Sequence, residues 1–103
     1  MSKLNKFLKN FNKRKKISCI TAYDASISKF LDSKGIDIIL VGDSLGQVIK
    51  GDKTTHDVTI NEITYHARCV SAGINKSLLM VDLPINTYDT KKQALHYLSL
   101  IHI

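Results

Sequence analysis

Two four-residue runs, Ile38–Val41 and Leu78–Val81, are apolar at every position. A strand with one face in water alternates polar and apolar residues, whereas one with no alternation is covered on both faces, as parallel strands are. Each run is followed by a turn carrying an aspartate and then by a stretch with helical spacing. The segment Lys16–Ala22 opens the series as a short strand. Asp24 is placed to N-cap a helix with Ile27, Phe30 and Leu31 at helical spacing, and Lys34-Gly35 is its stop signal. Thr59-Ile60-Asn61-Glu62 matches a capping box and predicts a helix with Ile60, Ile63, Ala67, Val70 and Ile74 on its buried face. After Asp82-Leu83-Pro84, Asp89 or Thr90 starts a further helix through Ala94, Leu95 and Leu98.

The resulting order, a helix and then strand–helix three times, predicts an α/β fold with a parallel sheet and right-handed crossovers. Two architectures open this way. One is the (β/α)8 TIM barrel, which typically takes about 250 residues; the other is a small doubly wound parallel sheet. With 103 residues the chain supplies the first three strand–helix units of a barrel, and the doubly wound sheet is the alternative. A free-standing three-stranded binding module without catalysis is disfavoured, because its edges stay open and its core is small.

The net charge of +6 is concentrated at one end. Lys3, Lys6, Lys9, Lys13, Arg14, Lys15 and Lys16 supply seven of the fifteen positive charges, and from Ile17 onward eight basic residues face nine acidic ones. That distribution excludes a broad nucleic-acid-binding face. Leu4, Phe7, Leu8 and Phe11 recur at helical spacing, so residues 1–16 are read as a basic amphipathic helix packing on its own protein or on a partner subunit. Organelle targeting is the lesser alternative for this arm. No apolar run is long enough to span a membrane, and a cytoplasmic protein is expected. Cys19 and Cys69 are the only cysteines, in a chain with no export signal, which excludes a disulfide framework and a four-cysteine metal site; both are expected to be buried thiols.

In both architectures the active site collects at the C-terminal ends of the strands. Those ends carry Thr21-Ala22-Tyr23-Asp24, Gly42-Asp43-Ser44 and Asp82-Leu83-Pro84. Asp24 is read as a helix cap. Asp43 and Asp82 directly follow buried runs, where an unpaired carboxylate is costly to desolvate. Two carboxylates without neighbouring His or Cys suit an oxygen-liganded ion such as Mg²⁺ better than zinc. The segment from Asp43 to Val58 reads as a long polar loop of functional type. Gly46-x-x-x-x-Gly51 fails as a P-loop because Asp52 stands at the lysine position. Gly42-Asp43-Ser44-Leu45 spells the nucleophile block of the GDSL-type serine esterases, but no histidine has the aspartate three residues earlier that the late block of those enzymes requires. His56, His66, His96 and His102 are read as ordinary surface or capping residues.

Taken together, Ile20-Thr21-Ala22-Tyr23-Asp24, Leu40–Gly46, Val58-Thr59, Tyr65-His66 and Val81-Asp82-Leu83-Pro84 resemble the ketopantoate (3-methyl-2-oxobutanoate) hydroxymethyltransferase family, from about residue 4 to residue 97. The resemblance implies a TIM barrel in a large homo-oligomer, a decamer in this family. It implies transfer of a one-carbon unit from 5,10-methylenetetrahydrofolate to 3-methyl-2-oxobutanoate, giving 2-dehydropantoate for pantothenate and coenzyme A. Carried over, Asp43 and Asp82 correspond to Mg²⁺-associated aspartates, and Asp43, Ser44 and Asp82 to contacts with the oxo acid. A chelated oxo acid is acidified at C3, so that a base can remove that proton before attack on the methylene donor. Partners are then the 2-oxo acid and the folate, with neither nucleic acid nor membrane.

Departures from the family pattern cluster around the motifs: Gln47, Lys50, Asp52-Lys53, His56-Asp57 and Ile85-Asn86. The family's later lysine, metal-linked glutamate and glutamate base have no counterpart, so the general base is expected beyond residue 103 and residues 1–103 alone are expected to be inactive. Leu98–Ile103 is what a common transposase-adapter sequence, CTGTCTCTTATACACATC, encodes in frame. The expected organisation is thus residues 1–16 as the N-terminal helix, 17–97 as the front of a catalytic barrel, and 98–103 as a non-native tail.

Overall fold

A computed structural model describes residues 2–13 and 16–101. Helix α1 (Lys3–Asn12) is followed by β1 (Cys19–Thr21), α2 (Ala25–Ser33), β2 (Ile38–Val41), a single-turn α3 (Leu45–Val48), α4 (Ile60–Gly73), β3 (Leu78–Val81) and α5 (Lys91–Leu100). The three strands form one parallel sheet in the order β1-β2-β3, with Cys19 opposite Ile38 and Ile38 opposite Leu78. A doubly wound sheet reverses the direction in which strands are added and carries helices on both faces. Over the described strands the order does not reverse. Right-handed crossovers that advance in one direction put their helices on one face, and α2 and α4 pack side by side.

The caps form where the residue types require them. Asp24 accepts from the Ile27 amide at 2.7 Å, Thr90 accepts from that of Gln93 at 3.0 Å, and Thr59 and Glu62 make the reciprocal capping box. Gly35 takes the left-handed conformation (φ 81°) that stops α2. Ile63, Ala67 and Val70 of α4 are fully buried. Val70 and Ala67 pack with Ile39, Val41 and Ala22 between sheet and helices. Ile63 joins a second cluster with Tyr23, Leu45, Val58 and Ile101 beyond the strand ends.

Helix α2 buries only part of the face its apolar residues suggest, with Leu31 packed against the core. Ser28 and Asp32 are buried, while Ile27 and Phe30 are exposed. The cause is the crossing with α4, where a Cβ on Gly73 would lie 2.2 Å from Ser28 Oγ and 2.4 Å from the Ala25 carbonyl oxygen. Only a glycine lets the backbones approach so closely, and Ser28 Oγ donates to the Val70 carbonyl at 2.9 Å across the contact. Asp32 braces the next segment, accepting from the amides of Lys76 (2.8 Å) and Ser77 (2.7 Å) at the entry to β3.

Burial works to raise the Asp32 carboxyl, but the amides of Ser77 and Lys76 prevail and hold it below its ordinary 3.8. Its stabilisation is therefore present above that value and lost as the pH falls through the depressed folded one. Asp32→Ala should destabilise the fold by about 1–3 kcal/mol at pH 7 by orphaning two amides. Urea melts should show the gap to the parent closing below pH 3.8.

Other expectations change at the sheet's margins. Cys19 is exposed and Cys69 only half-buried, because β1 is an edge strand and Cys69 lies toward the rim of α4. The first strand is shorter than Lys16–Ala22. β3 is half-buried rather than covered on both faces, and Met80 is 44% exposed on the side away from the helices. In α1, Phe7 shares a cleft with Ile36 and Leu78 under the N-terminal end of the sheet, while Leu4, Leu8 and Phe11 remain exposed. Arg14 and Lys15 of the basic arm lie outside the described residues. So do His102 and Ile103 of the predicted tail, whose earlier residues continue α5 and bury Ile101. No helix among the described residues is long and apolar enough to cross a membrane.

Candidate functional site

The ladder between β2 and β3 runs one step past both strands: the Asp82 amide donates to the Val41 carbonyl at 2.9 Å. This places Asp82 beside Gly42, with Asp43 one residue farther along. A Cβ on Gly42 would lie 3.5 Å from Asp82 Cβ and 3.9 Å from its Oδ2, so the carboxylate leans over the end of β2. The two aspartates singled out from sequence therefore occupy adjacent strand ends. Neither carboxylate is fully desolvated, contrary to expectation: Asp43 is half-buried and Asp82 is exposed. Among the described residues no group of three or more His, Cys, Asp or Glu converges on a metal position. What is present is an oxygen-only pair, which suits part of the shell of a hard cation.

Ser44 begins α3 in a right-handed helical conformation, and its hydroxyl makes no cap bond. That hydroxyl instead meets the phenol of Tyr23. Tyr23 is 8% exposed, its ring set in the second apolar cluster. The Ala22 amide donates to the Leu40 carbonyl at 3.2 Å, which holds this end of β1 against β2. From α4, His66 Nδ1 lies 2.8 Å from the Tyr23 carbonyl oxygen. A carbonyl only accepts, so Nδ1 carries the proton. The Tyr23 and His66 rings meet edge to face at 6.4 Å.

His66 is therefore half-buried and tied to a strand end, contrary to the reading of it as an ordinary surface or capping residue. Sequence reasoning also passed over Tyr23, although a buried tyrosine needs a partner for its hydroxyl and that need is a usable signal. His56 and His96 are exposed, as expected. Asp24 is taken up by its cap and lies outside the site.

The stretch from Asp43 to Val58 is more ordered than a polar loop. It opens with α3, and Leu45, Gly46 and Val58 are buried. A Cβ on Gly46 would lie 2.7 Å from Val58 Cγ2, so the glycine admits the returning chain rather than cradling a phosphate. The polar side chains of this stretch pair within it and with α4. Lys50 Nζ lies 3.0 Å from Glu62 and 3.4 Å from Asp52, and Gln47 Nε2 donates to the Lys53 carbonyl at 3.1 Å. The Thr59 amide, joined by Lys50, holds the Glu62 carboxyl below its ordinary range. Asn86 adopts the left-handed conformation (φ 67°) that asparagine tolerates, and its carbonyl accepts from Gln93 Nε2.

A family model described as ketopantoate hydroxymethyltransferase matches residues 2–100. Proteins called 3-methyl-2-oxobutanoate hydroxymethyltransferase are similar to the chain. That of Ralstonia nicotianae is 52% identical over 81 residues, covering 79% of this chain and 30% of the relative. That of Shewanella sediminis is 47% identical over 97 residues, covering 92% and 37%. That of Colwellia psychrerythraea is 48% identical over 87 residues, covering 84% and 33%. The chain spans about a third of the length of the curated relatives it matches.

Proposed function

The chain belongs to the ketopantoate hydroxymethyltransferase family, and on that premise we propose that it forms the first three strand–helix units of a TIM-barrel enzyme. The reaction is transfer of a hydroxymethyl group from 5,10-methylenetetrahydrofolate, with water, to 3-methyl-2-oxobutanoate, giving 2-dehydropantoate and tetrahydrofolate. The observation that carries the reading is the placement of Asp43, Ser44 and Asp82 on the neighbouring ends of β2 and β3, where a barrel gathers its active site.

Asp43 and Asp82 would hold Mg²⁺ with further oxygen ligands from the rest of the enzyme and the substrate. The chemistry such an ion supplies when bound is acidification of the C3–H beside a chelated 2-oxo acid. Ser44 donates a hydrogen bond to the substrate carboxylate and so orients the acid. The base that takes the C3 proton comes from outside residues 1–103. Residues 17–97 make up the catalytic portion, 1–16 the helix beneath it, and 98–103 a segment foreign to the enzyme. The complete enzyme is a cytoplasmic homo-oligomer.

The test system is a chimera of residues 1–97 continued by the remainder of the Shewanella sediminis relative. Calorimetric titration with 3-methyl-2-oxobutanoate should show binding with Mg²⁺ and its loss with chelator. Binding indifferent to chelator, in a chimera that melts cooperatively, would refute the metal assignment. A chimera with no transfer activity would refute the function. A fluorophosphonate ester should leave Ser44 unlabelled, since its hydroxyl is met by a phenol rather than by a histidine base; a covalent adduct there would favour the esterase reading.

A further inference from the structure

The Tyr23 phenol and the Ser44 hydroxyl share one hydrogen bond, and each can act as donor or acceptor. The phenol is the more acidic of the two, which favours it as the donor. Ser44 Oγ then accepts from Tyr23, and the serine's own proton is left for a third group. At its backbone, Tyr23 accepts through its carbonyl from His66 Nδ1–H at 2.8 Å. Tyr23 is thus gripped at its backbone by α4, at its ring by Leu45, Val58 and Ile63, and at its hydroxyl by Ser44. Among the described residues the Ser44 hydroxyl has no hydrogen-bond partner besides Tyr23.

We infer that Tyr23, fixed by His66, is a positioning residue that turns the Ser44 hydroxyl proton toward an anionic acceptor on the substrate. The inference rests on the proposed contact between Ser44 and the carboxylate of the oxo acid, and adds the source of that serine's orientation. A donor whose oxygen already accepts a hydrogen bond is polarised and donates more strongly. Without the phenol, the serine rotor is free to satisfy itself elsewhere and loses its fixed direction. The prediction falls on substrate affinity rather than on the chemical step, because the carboxylate carries the same charge before and after proton removal at C3.

The test is a mutant cycle in the chimera, reading KM and kcat for the oxo acid. Tyr23→Phe keeps the ring in its apolar cluster and removes only the hydroxyl; it should raise KM roughly five- to tenfold with kcat nearly unchanged. Ser44→Ala should raise KM at least as much. The double variant should be no worse than Ser44→Ala, because the phenol then has nothing to orient. His66→Asn places an amide donor near the position of Nδ1–H and should keep the parental KM, whereas His66→Leu should raise KM as Tyr23→Phe does.

A KM effect of Ser44→Ala that is absent in Tyr23→Phe would overturn the inference and leave the proposed function standing. Effects that multiply in the double variant would also overturn it, by showing that Tyr23 acts on its own. A Ser44→Ala chimera with parental KM would instead remove the serine–carboxylate contact, and the inference with it.

Discussion

Gly73→Ala is expected to destabilise this unit strongly, although alanine is ordinarily the better helix former by up to about 1 kcal/mol. The added methyl would sit 2.2 Å from Ser28 Oγ, 2.4 Å from the Ala25 carbonyl oxygen and 2.8 Å from the Lys29 amide nitrogen. Two of those atoms are backbone and cannot rotate away, so α2 and α4 must separate. Separation pulls Ser28 off the Val70 carbonyl and loosens the Asp32 brace on β3. Overpacking of this kind costs about 1–3 kcal/mol and occasionally more, a large share of the roughly 5–15 kcal/mol that stabilises a typical domain. Thermal melts of the chimera should show a markedly lower or lost transition. Adding Ser28→Ala should not restore it, since the backbone contacts persist. Full recovery in that double variant would mean that the side chain alone sets the helix separation.

The second large effect concerns chemistry. In the chimera with Mg²⁺ and deuterated water, the C3 hydrogen of 3-methyl-2-oxobutanoate should exchange, and Asp82→Asn should slow that exchange by about 10²–10³-fold through a weaker hold on the cation, the scale for losing one electrostatic stabiliser of a developing anion. Asparagine keeps the shape of the strand end and removes the charge that an ion-binding role requires. Asp43→Asn should behave alike. Asp24→Asn is the control, because asparagine caps a helix as well as aspartate does and Asp24 spends its carboxylate on the Ile27 amide. Parental exchange in Asp82→Asn would remove Asp82 from the site. An equal loss in Asp24→Asn would show that the assay reads folding rather than charge.

What could be read from the residues alone follows from how far apart the interacting partners lie. Caps join residues three apart, so Asp24, Thr59 with Glu62, and Thr90 were legible from spacing. The strand ends were legible too, because an uninterrupted apolar run that gives way to Gly42-Asp43 or to Asp82 marks its own limit, and this put Asp43, Ser44 and Asp82 at strand ends. The buried face of α2 was legible only at Leu31. Its inward residues Ser28 and Asp32 are polar, and the groups that satisfy them stand 42 and 45 residues farther on. His66 was missed for the same reason, as its acceptor lies 43 residues earlier. The loop after β2 read as polar because its charges are real. They pair with one another and with Glu62, while Leu45, Gly46 and Val58 fold inward beneath them.

The order of the strands has a consequence during synthesis. Because β1, β2 and β3 sit side by side in the sequence in which they leave the ribosome, each can dock on a neighbour already outside the exit tunnel, and none has to wait for a distant segment. At about 5–20 residues per second, the register of Cys19 with Ile38 is available seconds before Leu78 emerges to meet Ile38 in turn. Assembly is vectorial, and at each stage the newest strand is an unpaired parallel edge of the kind that recruits other chains. The vulnerable interval opens with the emergence of Val41 and passes to β3 once Val81 is out, so demand for a ribosome-associated chaperone should begin there and last until β3 is itself paired.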